Sequence, residues 1–223
     1  MIFFSKECTN TGNRKLLKHI IFDFDGTLAD SSEIGFQIIN DLSEKYKIKK
    51  FTKEELMAIN RMPIKDRLKL VGIPLYRIPQ LLIEGLARYR VLINDLKTFD
   101  GIQELLTELK NQGFTLSVIS SNNVENIEYF LDKYKLKYFD NVISANSIFG
   151  KHIAIKKYLK KFNLGINEII YVGDEIRDIE ACKVLNVKVI AVTWGFDAIE
   201  LIKSGNPDYI ANKPEDILEI IQI

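Results

Sequence analysis

Residues 20–28 read IIFDFDGTL, an apolar run that breaks off at two aspartates and a glycine. A short apolar run that ends in turn-forming residues is typical of a strand buried on both faces. Five later segments have this character, the last of them more weakly, and helical apolar periods separate them: residues 114–119, 142–144, 169–172, 187–192 and 208–211. This alternation predicts an α/β fold, with a doubly wound, Rossmann-like parallel sheet and helices on both of its faces.

Residues 32–97 interrupt the alternation because they contain helical patterns and no convincing strand. Apolar residues recur at helical spacing between Ile34 and Tyr46, and again between Leu81 and Ile93. Residues 52–55 read TKEE, a capping box that predicts a helix start. We therefore expect an inserted α-helical cap domain at 32–97 and a core domain formed by 1–31 and 98–223. Residues 1–17 show no clear period, which predicts a poorly ordered lead-in.

The composition excludes several kinds of protein. The 223 residues include 31 lysines and arginines against 30 aspartates and glutamates, so the net charge of +1 lacks the basic excess of a general nucleic-acid binder. With two cysteines and two histidines, neither a disulfide framework nor a zinc site of Cys or His ligands is expected. The first apolar run is too short for a secretory signal, and no span of about 18 apolar residues follows. We expect a cytoplasmic protein with no nucleic-acid or membrane partner.

The residues that can carry chemistry follow the predicted strands. In an open parallel sheet, ligands bind beyond the carboxyl ends of the strands. Polar residues follow three strands there, and one lysine begins a helix near the same edge. They are Asp23, Asp25, Gly26 and Thr27 after the first strand, Ser120, Ser121 and Asn122 after the second, Asp174, Glu175 and Asp178 after the fourth, and Lys151.

This set of residues fits phosphoryl transfer. Neighbouring carboxylates repel by roughly 4 kcal/mol per close pair at an effective dielectric of about 20. Mg²⁺ relieves such repulsion, since it binds one or two carboxylates together with substrate phosphate. A carboxylate can attack phosphorus, and an acid two residues further on lies on the same side of an extended backbone, where it can protonate the leaving oxygen. Gly26 and Thr27 supply a sharp turn whose amides can face a phosphate.

These residues resemble, in order, the four motifs of the haloacid dehalogenase-like hydrolase superfamily. The motifs are DFDGTL at residues 23–28, Ser120, Lys151, and GDEIRD at residues 173–178. The resemblance runs from about residue 19 to the end of the chain. It implies a phosphatase in which Asp23 is the nucleophile and Asp25 the general acid and base.

The resemblance also implies the remaining roles at the site. Ser120 and Lys151 bind the transferring phosphoryl group, and Lys151 also holds Asp23 in place. Mg²⁺ is the expected cofactor, bound by the carboxylates of Asp23 and Asp174 and by the main-chain carbonyl of Asp25. Asp178 is expected to contact these ligands without touching the metal, or to contact the metal through a water molecule. We also expect Gly26, Thr27, Ser121 and Asn122 at the phosphate.

The branch of the superfamily follows from further residues. Dehalogenases lack an acid at the position of Asp25, so phosphoryl transfer is favoured. Residues 192–196, VTWGF, and 206–209, NPDY, resemble the phosphoglycolate phosphatase branch, which implies a small phosphorylated metabolite as substrate. Two alternatives stay open, a phosphomutase acting on a sugar phosphate and a non-catalytic binding module. Arg61 of the cap either pairs with a substrate carboxylate or lies in solvent, and the protein is expected to be a monomer or homodimer.

Overall fold

The computed structural model describes residues 17–222 apart from positions 48, 71, 146, 148 and 149. The lead-in expected at residues 1–17 therefore lies outside the described residues, except for its last position. The described residues form eight strands: β1 (His19–Phe22), β2 (Ala29–Asp30), β3 (Lys97–Thr98), β4 (Thr115–Ser120), β5 (Phe139–Ser144), β6 (Ile169–Gly173), β7 (Lys188–Val192) and β8 (Tyr209–Ala211).

Ten α-helices complete the described part of the chain. They are α1 (Ser32–Tyr46), α2 (Lys53–Ile59), α3 (Ile64–Leu70), α4 (Ile78–Leu92), α5 (Ile102–Asn111), α6 (Val124–Lys133), α7 (Lys151–Phe162), α8 (Ile176–Leu185), α9 (Ile199–Ser204) and α10 (Pro214–Ile221). Within the described ranges, no helix combines the length and the apolar character that crossing a membrane requires.

Six strands form one parallel sheet in the order β5-β4-β1-β6-β7-β8. Side chains of successive strand residues point to opposite faces, so the sheet has two apolar layers. Ile20 and Phe22 lie in a core with residues of α5, α6 and α10, whereas Ile21 lies in a second core with residues of α7, α8 and α9. Helices on both faces of a parallel sheet confirm the predicted α/β class.

The helices α1 to α4, here called the helical segment (residues 32–92), lie between β2 and β3. The predicted capping box starts α2, where the main-chain N–H of Glu55 donates to Thr52 Oγ1 at 3.2 Å and the Thr52 N–H donates to Glu55 Oε2 at 3.0 Å. The strands β2 and β3 pair antiparallel, with Ala29 opposite Thr98. Both connections between the helical segment and the sheet therefore run side by side.

Candidate active site

Three strand ends and one helix start bring the predicted residues together. The central strand β1 pairs with β4 on one side and β6 on the other, so residues that follow these strands meet at one edge of the sheet. Six of the predicted side chains are at most 2% exposed there: Asp23, Thr27, Ser120, Lys151, Asp174 and Asp178. Charged groups are almost never buried to this extent unless they are paired or bind a ligand.

Lys151 joins two of the buried acids. Its ammonium group, at the first position of α7, donates to Oδ2 of Asp23 and to Oδ1 of Asp178. Burial alone would lower the pKa of Lys151, but the carboxylates of Asp178 and Asp23 raise it above its ordinary value. The other oxygen of Asp23 accepts a hydrogen bond of 2.8 Å from the main-chain N–H of Phe24. Asp23 is therefore held in one orientation by a permanent cation and a main-chain donor.

Asp25 has a different environment, although it lies only two residues away. Its Oδ1 accepts a hydrogen bond of 2.7 Å from the hydroxyl of Tyr89, and its Oδ2 accepts one of 2.9 Å from the side-chain amide of Asn122. Burial raises the pKa of Asp25 despite these hydrogen bonds, and the neighbouring Asp23 raises it further. A carboxyl group with a raised pKa keeps its proton to higher pH, which suits a general acid.

Asp174 is fully buried at the end of β6. Its Oδ1 accepts a hydrogen bond of 2.9 Å from the Thr27 hydroxyl, and its Oδ2 accepts one of 2.8 Å from the main-chain N–H of Phe196. Two glycines make room for this carboxylate, since a Cβ atom added to Gly26 or Gly195 would lie 2.2 Å from an Asp174 atom. Gly26 also has a φ angle of 75°, which favours glycine.

The acids of the site fit a divalent cation. Carboxylate oxygens of Asp23, Glu175 and Asp178 lie within 4.8 Å of one another. Burial raises the pKa of Asp174 well above its ordinary value, and repulsion from Glu175, Asp23 and Asp178 raises it further. Excess negative charge together with hard oxygen donors is an environment that suits a divalent cation. Glu175, which was not predicted as a ligand, is paired with Arg177 through a bond of 2.6 Å.

The residues after β4 also meet the site. Ser120 Oγ accepts a hydrogen bond of 3.2 Å from the main-chain N–H of Asn122, and Ser121 Oγ accepts one of 3.0 Å from Arg177. The following helix α6 is capped by Asn123, whose side chain accepts from the Asn126 N–H at 3.0 Å. Asn123 therefore caps α6, and the two serines do not.

The helical segment contributes contacts that the sequence pattern did not reveal. Tyr89 was predicted only as part of an apolar helix face, and it reaches Asp25. Arg67 on α3 pairs with Oδ1 of Asp197, whose Oδ2 accepts from the main-chain N–H of Ile176 at 2.7 Å. A buried tyrosine hydroxyl needs a hydrogen-bond partner, and this requirement was the one feature of the sequence that could have indicated a role for Tyr89. The side chain of Arg61 lies exposed.

Comparisons with known proteins agree with this geometry. A phosphoglycolate phosphatase from Synechococcus elongatus is 28% identical over 206 residues, which cover 92% of this chain and 97% of that protein. The pyrophosphatase PpaX of Bacillus mycoides is 22% identical over 91% of this chain and 95% of its own length. The crystal structure of a predicted phosphatase from Clostridium acetobutylicum matches with a TM-score of 0.81 at 25% identity, and the match covers 93% of this chain and 100% of that one.

The names of these relatives agree with the enzyme class predicted from the sequence, a phosphatase. The family of haloacid dehalogenase-like hydrolases matches residues 20–192, which include all four motifs. The chain therefore belongs to the haloacid dehalogenase-like hydrolase family.

Proposed function

We propose that this hydrolase is a Mg²⁺-dependent phosphatase that hydrolyses a small phosphate monoester through a phosphorylated Asp23. One observation carries the proposal: two carboxyl groups two residues apart have opposite environments. Lys151 neutralises Asp23 as an oriented anion, while burial raises the pKa of Asp25. When the environments of two acids differ in this way, one can act as the nucleophile and the other as the proton donor.

In the first step, a carboxylate oxygen of Asp23 attacks the phosphorus atom of the ester. The bond between phosphorus and the leaving oxygen breaks, and the carboxyl group of Asp25 gives its proton to that oxygen. The products are the free alcohol, an acyl phosphate on Asp23 and an ionised Asp25. The hydrogen bonds from Tyr89 and Asn122 hold Asp25 while its charge changes.

In the second step, the ionised Asp25 takes a proton from water as the water oxygen attacks phosphorus. The bond between phosphorus and the Asp23 oxygen breaks, which releases inorganic phosphate and restores both carboxyl groups. The same residue therefore acts first as acid and then as base. We further propose that Lys151 and Ser120 bind the phosphoryl oxygens, and that Asp178 keeps Lys151 in position.

The proposed metal ligands are the carboxylates of Asp23 and Asp174 and the main-chain carbonyl of Asp25. When bound, Mg²⁺ supplies positive charge that offsets the repulsion between the phosphate and the acids. Gly26, Thr27, Ser121 and Asn122 were expected at the phosphate. Since the Thr27 hydroxyl bonds Asp174 and the Asn122 side chain bonds Asp25, we propose that these two side chains position acids.

We propose that residues 32–97 form a cap domain over a core of residues 1–31 and 98–223. The contact between Tyr89 and Asp25 supports this arrangement, because it brings a side chain of helix α4 to the site. A cap in this place excludes water while the phosphoryl group is transferred to Asp23.

The proposal is tested by measuring inorganic phosphate release from a panel of phosphate monoesters, with Mg²⁺ and with EDTA. We expect release that requires Mg²⁺ and is abolished in Asp23→Asn. The matched control is Asp132→Asn, which changes an exposed aspartate on α6. Rapid acid quenching and peptide mass spectrometry should detect phosphate on Asp23. Release by folded Asp23→Asn, or release in EDTA, would contradict the proposal, and an isomerised product without free phosphate would indicate a mutase.

A further inference from the structure

An apolar cavity of about 350 Å³ lies within the helical segment and reaches the site. Its walls come mainly from α1 and α4, through side chains such as Ile38 and Leu86, and Leu68 of α3 also lines it. Asp25 and Asn122 also line it, so the cavity is continuous with the carboxyl group proposed to protonate the leaving oxygen. The volume falls at the lower end of the roughly 300–1,000 Å³ range of small-molecule sites.

Two glycines in helix interiors keep this space open. Gly35 of α1 and Gly85 of α4 both line the cavity, and neither has a positive φ angle that would require glycine. A Cβ atom at Gly35 would meet nothing within 4 Å, and one at Gly85 would meet only Ile38 at 3.7 Å. Glycine in a helix interior costs about 1 kcal/mol relative to alanine. The two glycines therefore lower helix stability at positions where a larger side chain would occupy the cavity.

The charges around the cavity exclude an anionic occupant. Asp25 is the one charged side chain among the described residues that line it. Arg67, on the neighbouring α3, is already paired with the buried Asp197. A carboxylate such as that of glycolate would lose its hydration in this space without gaining a cation. An apolar group would gain the free energy of leaving water.

Resting on the proposed function, we infer that this cavity receives the leaving group and selects phosphate monoesters of apolar, aliphatic alcohols. The phosphoryl group lies at Asp23, the ester oxygen at Asp25, and the hydrocarbon chain extends between α1 and α4. The enzyme thus prefers alkyl phosphates to 2-phosphoglycolate, although a phosphoglycolate phosphatase is among its relatives.

The test measures kcat/KM for methyl, butyl, hexyl and octyl phosphate and for 2-phosphoglycolate, all with Mg²⁺ and the unmodified protein. Each added methylene should raise kcat/KM about fourfold until the cavity is filled. A kcat/KM that stays flat or falls with chain length, or that is higher for 2-phosphoglycolate than for butyl phosphate, would overturn the inference. Absence of release from every ester would instead overturn the proposed function, so the two failures are distinguishable.

A variant of the cavity wall provides a second test. Gly35→Leu places a side chain where an aliphatic group would bind, so the ratio of kcat/KM for octyl phosphate to that for methyl phosphate should fall at least about tenfold. The matched control is Ala87→Leu, which introduces the same leucine side chain on the exposed side of α4 and should leave the ratio unchanged. An unchanged ratio in folded Gly35→Leu would count against the inference, and the chain-length series stands if that variant fails to fold.

Discussion

The hydroxyl of Tyr89 on α4 lies 2.7 Å from Oδ1 of Asp25, to which it donates a hydrogen bond. Burial raises the pKa of Tyr89 well above its ordinary value, and the charge of Asp25 raises it further, so the hydroxyl keeps its proton. Asn122 holds the other oxygen of the same carboxyl group. A residue of the helical segment therefore positions an acid that belongs to the end of β1.

Tyr89→Phe removes this hydrogen bond and leaves the ring in place. We expect kcat to fall about tenfold, since a hydrogen bond to a charged group contributes about 1.5–3 kcal/mol. KM should change much less, because the hydroxyl touches Asp25 and acts through it. Steady-state kinetics on one good substrate measure both constants. Tyr129→Phe is the control, since it removes a hydrogen bond of the same 2.7 Å length, to Asn94, away from the site. Equal kcat values in the two variants would show that Tyr89 does not position the acid.

Asp174→Asn tests the acidic cluster without an activity assay. Repulsion from three neighbouring acids destabilises the folded state, so the neutral amide should raise the free energy of unfolding in EDTA. The unmodified protein should gain about 2.7 kcal/mol from Mg²⁺ at a hundred times its Kd, and the variant should gain almost nothing. Urea denaturation with and without Mg²⁺ measures both effects, and a full Mg²⁺ effect in the variant would remove Asp174 from the ligands.

Gly195→Ala addresses the space around the same carboxylate. The new Cβ atom would lie 2.2 Å from Cβ and 2.3 Å from Oδ2 of Asp174, a distance that forces the carboxylate to move. We expect at least a tenfold loss of Mg²⁺ affinity in titrations followed by thermal stability. Gly165→Ala is the control, because the nearest atom to its new Cβ is a Glu168 oxygen at 3.5 Å. Equal Mg²⁺ affinities in the two variants would show that the close packing of Gly195 against Asp174 does not affect metal binding.

Arg67→Gln tests the ion pair between α3 and the loop after β7. The side chain of Asp197 is 1% exposed, so removal of its partner leaves a buried and unpaired charge. We expect the free energy of unfolding to fall by about 3 kcal/mol. Arg88→Gln breaks an exposed pair with Asp41 and should cost less than about 1 kcal/mol. Similar losses of unfolding free energy in the two variants would mean that the burial of Asp197 does not increase the cost of removing its partner.

His19 predicts a dependence of stability on pH. Burial lowers its pKa below the ordinary 6.5, and its Nδ1 lies 2.8 Å from the hydroxyl of Tyr158. Between the lowered pKa and about 6.5, the unfolded chain binds more protons than the folded one, so stability falls as the pH falls through this window. His19→Gln should remove the part of this loss of stability that comes from protonation of His19. Urea denaturation between about pH 7.5 and pH 5.5 checks this, and parallel curves for the two proteins would refute it.

The sheet and the five acids at its edge were predictable because each depends on local sequence. Apolar runs such as residues 169–172 fix the strands, and the parallel sheet brings their carboxyl ends together. Helix α3 was not predicted, since none of its residues is buried and it has no apolar stripe. The strands β2 and β3 contain two residues each, which is too short for a period. The contacts of Tyr89 and Arg67 depend on how helices pack, which helical spacing alone does not determine.

The antiparallel pairing of Ala29 with Thr98 has a consequence for how this protein could have arisen and could be redesigned. Asp30 lies opposite Lys97, so the chain leaves and re-enters the core at neighbouring points. A tight hairpin turn could join those two positions without disturbing any strand of the six-stranded sheet. The helical segment is therefore inserted at a single point of the core, and any segment that replaced it would have to supply its own partner for Asp25 in place of Tyr89.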